Sequence, residues 1–183
     1  MKYFLLISFL FLGITVNAQS ESNNYQVTLN RIGPFKIEMK KEDVEKILKT
    51  KIKTPNNSNA IEYNYDTILV DYQNVNYTLV FFKNYISETK YEIALFSIKS
   101  KSPLLKTKSG IRVGDDKMKI IETYKDYDFY YSFIYEDDGQ GNFKRSKTRS
   151  VIQLKGENEN YSLFFYLNEG KVEGFEASFF EGC

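Results

Sequence analysis

From residue 60 onward, much of the chain alternates apolar and polar positions, the period of a strand with one buried face. The alternation predicts strands near residues 61–65, 67–72, 77–82 and 91–98, then near 129–135, 151–154, 161–167 and 171–180. Residues 25–29 add an N-terminal strand. Two stretches switch to helical spacing, about Lys41 to Lys51 and about Lys117 to Lys125. Asp116 precedes the second and can cap it, because its carboxylate accepts from the free amides of the first turn. Lys40 holds the equivalent place before the first helix and cannot accept. Pro55-Asn-Asn-Ser-Asn breaks the chain after the first helix, and Asn168-Glu-Gly-Lys171 reads as a tight hairpin with Gly170 free to take positive φ.

The two helix-then-strand runs resemble each other. Displacing the chain by 76 places Ile37 on Val113, Val44 on Ile120 and Leu48 on Tyr124. Further on, Asn76-Tyr-Thr-Leu-Val-Phe-Phe82 matches Asn160-Tyr-Ser-Leu-Phe-Phe-Tyr166 at a spacing of 84. The extra residues fall between Glu136 and Arg149, where Asp137-Asp-Gly-Gln-Gly-Asn142 is turn chemistry followed by a basic run. The expected fold is α+β, in two tandem units, each a helical segment packed on an antiparallel sheet of about four strands. The units span residues 19–103 and 104–183, jointed near Ser100-Lys-Ser-Pro103.

Residues 1–18 read as a secretory signal peptide. Lys2 is their only charge, an apolar stretch runs from Phe4 to Val16, and Val16 and Ala18 occupy the −3 and −1 positions of a small-residue cleavage site. That stretch is too short for a membrane span, which needs roughly 20 residues. The expected location is therefore periplasmic or secreted, in a bacterium, with no stable membrane insertion after cleavage. The whole chain of 183 residues has 25 basic and 24 acidic side chains. Such balance lacks the cationic surplus that nucleic-acid binding requires. With no His and one Cys, the chain has no His-based triad, Cys/His zinc site or internal disulfide. Cys183 reads as a terminal thiol without a function.

Aromatics make up 16% of the chain and fall on both faces of the expected strands. One row, Tyr77, Leu79, Phe81 with Tyr161, Leu163, Phe165, joined by Ala94, Phe96, Ala177 and Phe179, is expected beneath the helices. The opposite row still holds Val80, Phe82, Ile93 and Leu95, then Phe164, Tyr166 and Phe180 among Ser162, Glu176 and Ser178. Two readings stay open: the two sheets join or pack, making these residues a core between the units, or they form a concave Tyr-containing surface for a partner. The run Phe129, Tyr131, Phe133, Tyr135 is open to the same two readings.

The tandem helix-then-sheet plan resembles the β-lactamase inhibitor protein family. The Gly114-Asp-Asp-Lys-Met-Lys-Ile120 run is similar to the helix start in outer-membrane assembly lipoproteins of the SmpA/OmlA type. The chain departs from these patterns in having Glu38 where the first copy would carry Gly, no disulfide, and no lipidation Cys after the signal. The resemblance implies a protein that grips a partner on a concave sheet, without implying a β-lactamase as that partner.

Catalytic chemistry finds little support. The adjacent acids Glu42/Asp43 and Asp115/Asp116 suit helix starts, whereas a glycosidase needs carboxyls facing each other across a cleft. Asp137 to Asn142 has oxygen ligands but no EF-hand spacing or closing Glu. Gly110 to Gly114 lacks the spacing and the Lys-Ser/Thr ending of a phosphate loop. The reading is an exported, non-catalytic binding protein without cofactor or metal, whose partner is another protein, acting as an inhibitor or immunity-type factor. An envelope-assembly scaffold and a carboxylate-dependent hydrolase are the alternatives. The expected interface is Phe82, Phe164, Tyr166 and Phe180, with Arg145 and Arg149 from the inserted segment.

Overall fold

The structure, a computed structural model, describes residues 24–53, 66–88, 90–156 and 160–179. The 1–18 segment, the strand expected at 61–65, Phe180 and Cys183 lie outside the described residues. Eleven strands and two short helices follow in the order β1 (Gln26–Thr28), β2 (Arg31–Ile32), β3 (Phe35–Lys36), α1 (Lys41–Leu48), β4 (Asp66–Tyr72), β5 (Val75–Ser87), β6 (Lys90–Ser100), β7 (Lys106–Thr107), α2 (Lys117–Thr123), β8 (Phe129–Asp137), β9 (Phe143–Lys155), β10 (Tyr161–Asn168) and β11 (Lys171–Phe179).

The expected α+β fold of two helix-plus-sheet units is not what this chain builds. The molecule is mostly β; among the described residues a large sheet has seven strands in the order β4-β5-β6-β11-β10-β9-β8, and a second sheet has four, β3-β2-β1-β7. The large sheet is antiparallel throughout, and its halves join where Ser97–Ser100 of β6 pairs with Phe175–Ser178 of β11. Two separate sheets would each have left an apolar strand with unpaired backbone groups, and pairing β6 with β11 removes both edges. The helices are also too short to cover a four-stranded sheet alone. The small sheet supplies the remaining cover through Val27, Ile32 and Phe35, all fully buried.

On the covered side, the core runs across the register as Leu79, Ile98, Ala177, Leu163 and Leu154, paired strand to strand and buried throughout. Phe165 is fully buried beneath α2, its ring 5.8 Å from Tyr124 and 5.7 Å from Phe175. A bulge between Val80 and Phe81 shifts the pairing of β5 with β6, setting Phe81 opposite Leu95. Leu95, expected on the opposite row, is therefore in the core and 0% exposed.

Helix ends follow the local chemistry. Asp116 accepts from the Met118 amide at 2.9 Å, whereas Lys40 makes no side-chain cap. Asp116→Ala is expected to lower stability by about 1 kcal/mol, and Lys40→Ala, which removes no cap and loses only an exposed ion pair with Glu92, to lower it by less. Paired thermal melts check both. Glu38 and Gly114, each ahead of a helix, both take positive φ (66° and 91°), so a non-glycine residue carries the left-handed turn before α1. The Glu169-Gly170 turn has positive φ at both residues, as a two-residue hairpin of this hand requires.

The 136–149 segment is not the inserted loop the residue types suggest. Strand pairing continues to Asp137 opposite Phe143, leaving a turn of five residues. Asp138 closes that turn, accepting from the amides of Gln140 (3.0 Å) and Asn142 (3.3 Å) and pairing with Lys144 at 3.2 Å. The Gln140 amide leads in holding its carboxyl below the usual carboxylate range.

Candidate functional site: the open face of the large sheet

The second face of the large sheet has no described helix or strand packed on it. Its residues follow from strand parity: Leu69, Thr78, Lys99, Glu176, Phe164, Gln153 and Tyr130 lie on one transverse row. A groove of about 560 Å³ opens on this face beside the end of the β6–β11 pairing, at Ser100 and Phe175. Leu69 and Thr78 line one side, and Tyr166 and Arg149 the other. Gly174 forms part of the floor, and a Cβ there would come within 2.8 Å of the Ser100 carbonyl.

Glu176 organises the middle of the face. It is buried, and accepts from Ser97 Oγ at 2.5 Å, from the Tyr166 hydroxyl, and from Lys99 Nζ at 3.0 Å. The Lys99 ammonium also lies 5.6 Å from the centre of the Tyr166 ring. Burial, reinforced by the adjacent Glu176 charge, raises the Tyr166 hydroxyl well above its ordinary pKa, so it stays protonated and donates. A carboxylate holding donors on both oxygens is committed to fixing the sheet surface. Beside it, Glu173 takes Lys101 at 2.5 Å on one oxygen, while the other is buried without a hydrogen bond, 4.0 Å from Arg149 Nε. The groove therefore has apolar walls with fixed charges of both signs at its rim.

Of the residues singled out by sequence, Tyr166 and Arg149 line this groove, and Phe164 lies on the same face opposite Glu176. Phe82 is elsewhere, in a chain of edge-on rings that runs through Phe96 and Phe179 to Tyr161. Arg145 stacks on Phe133 at 3.4 Å in the β8–β9 hairpin, away from the groove lining. Phe180 lies outside the described residues. Sequence reasoning did not find Lys99, Gly174 or Leu69, and read Glu176 as an ordinary polar position. No local signal marks them, since Ser97 and Glu176 are 79 residues apart.

Among the described residues no group of three or more His, Cys, Asp or Glu side chains could hold a metal ion, and no helix is long and apolar enough to cross a membrane. No protein-family model, curated protein or solved structure matches the chain.

Proposed function

We propose that this chain is an exported, non-catalytic binding protein that grips another protein on the open face of its seven-stranded sheet, as an inhibitor or immunity-type factor does. The observation that carries the reading is the groove beside Gly174, with Tyr166 held at its wall by Glu176 and Lys99. An aromatic ring already fixed by its own protein loses little freedom on binding, so its contact area converts efficiently into affinity. Tyr, Phe and Arg are also the side chains that most often dominate such contacts. The mixed rim charges give orientation, while the balanced net charge offers no long-range pull toward a polyanion.

The double variant Phe164→Ala/Tyr166→Ala tests this. Both side chains are half-buried on the open face and outside the main core, so the variant is expected to melt cooperatively. It is expected to weaken capture of a partner from an envelope extract by tenfold or more, about 1.4 kcal/mol. Capture of the same partner with equal strength by the native chain and the folded variant would remove the open face as the binding surface.

A further inference from the structure

The groove beside Gly174 holds hydrogen-bond donors that the protein itself does not use. Arg149 reaches it from β9, its own amide donating to Ser146 Oγ at 3.1 Å. The Arg149 guanidinium lies 3.7 Å from Glu136 and 4.0 Å from Glu173, and it donates no hydrogen bond to either or to any other described residue. A guanidinium carries five N–H donors in a rigid fork, and here all are unspent. The Glu173 oxygen nearest the fork is buried without a hydrogen bond, so nothing fixes the fork in one place. On the other wall, the Thr78 hydroxyl also makes no hydrogen bond to a described residue.

The charges around the fork, in contrast, are already matched. Lys101 pairs with Glu173 at 2.5 Å, Lys99 with Glu176 at 3.0 Å, and Arg149 stands between two carboxylates. Asp71, the other acid of the lining, is exposed and accepts from Asn76. A charged group entering here loses hydration without meeting an unmatched opposite charge, which costs free energy. A neutral acceptor loses less and meets unspent donors. Backbone carbonyls are the neutral acceptors every protein carries, and an extended segment presents them unpaired. Leu69, which is 80% exposed, and the Tyr166 ring supply apolar surface on the two sides of the groove. We infer that the groove takes an uncharged, extended segment of the partner protein, with a backbone carbonyl on the Arg149 fork and an apolar side chain between Leu69 and Tyr166. This inference names the partner's chemistry and rests on the binding role proposed above.

Three small probes that differ in charge test it on the full chain: N-acetyl-leucine N-methylamide, which is neutral, N-acetyl-leucine, an anion, and leucine N-methylamide, a cation. In an NMR titration the neutral probe is expected to give saturable shifts at Ser100, Lys101, Gly174 and the Arg149 side-chain N–H, with a dissociation constant of roughly millimolar order for a ligand of this size. Both charged probes are expected to bind several-fold more weakly. Arg149→Met keeps the stem and removes the fork, and Leu69→Ser removes apolar surface at an exposed position; each should weaken the neutral probe several-fold, with melting curves checking that both variants are folded. Equal or tighter binding of a charged probe would overturn the inference. So would full affinity in both variants, or no saturable shift at the groove. The two readings fail separately. Capture lost by Phe164→Ala/Tyr166→Ala, with no preference among the probes, removes only the uncharged segment, whereas equal capture removes the open face and this inference with it.

Discussion

Phe165→Ala is expected to destabilise the protein by about 3–5 kcal/mol, the cost of deleting a fully enclosed aromatic ring. Phe165 has 0% exposure and sits between Tyr124 of the α2 end and Phe175 of β11, so its removal opens a cavity between helix and sheet. Neither neighbour can fill the space cheaply. Tyr124 is also tied edge-on to Tyr127, and Phe175 belongs to the strand that joins the two halves of the sheet. For a domain of this size the loss corresponds to a fall in Tm of roughly 6–20 °C. Calorimetry of the native chain and the variant measures it directly. A change below about 1 kcal/mol would mean that α2 does not seal this part of the core.

Gly174→Val is the second large effect, expected at about 3 kcal/mol, the upper end of overpacking costs. The backbone of β11 passes so close to the end of β6 that a Cβ would lie 2.8 Å from the Ser100 carbonyl and 3.4 Å from Lys101 Cα. These are backbone atoms, which cannot swing aside as a side chain would. Relief requires β6 and β11 to separate at their first paired position, Phe175 with Ser100. Amide exchange should therefore accelerate most at Lys99–Lys101 and Phe175–Ala177, ahead of the sheet's outer strands. Uniform acceleration throughout the sheet would show that the strain spreads and that no weak line exists there.

Much of the strand pattern is legible because β5 alternates and its expected core positions Tyr77, Leu79 and Phe81 are buried, whereas Tyr161 of β10 and Phe179 of β11, expected in the same row, are only half-buried. Asp116 is legible for the same local reason: a carboxylate before an amphipathic run caps it. The architecture is not, because it depends on which strands meet. Nothing in the residues near Ser97 or Ser178 says that they pair, and reading each half alone gave two helix-plus-sheet units while leaving open whether their sheets join. β2, β3 and β7 hold two residues each, too few to show any period. The basic run Lys144–Arg149 is legible only as the residues that follow the turn, since residue type does not show how far strand pairing reaches into it. In β9 those residues are held by pairing and local contacts, Arg145 on the Phe133 ring and Arg149 beside Glu136 at 3.7 Å. The bulge that buries Leu95 reverses parity within one strand, which alternation alone does not foresee.

The site divides in the same way. Tyr166 and Arg149 are visible in sequence as an aromatic on an outward row and a cation near a turn, and both reach the groove. Lys99, Glu176 and Gly174 are not, because their roles come from contacts across the β6–β11 pairing. Glu176 looks like a routine solvent-facing residue until Ser97, Lys99 and Tyr166 converge on it.

Of the described strands, β11 is the last to be synthesised, yet it stands fourth of seven in the sheet. A chain cut short before Phe175 would not lose a margin of the sheet; it would lose its middle. The first-made strands of this sheet, β4, β5 and β6, must wait, with the β11 side of Ser97–Ser100 unpaired, until the residues through Ser178 have been delivered. Such distant closure slows folding and prolongs the exposure of a sticky edge. Partial translation products and C-terminal truncations of this protein should therefore be substrates for chaperones and proteases, rather than smaller versions of the binding domain.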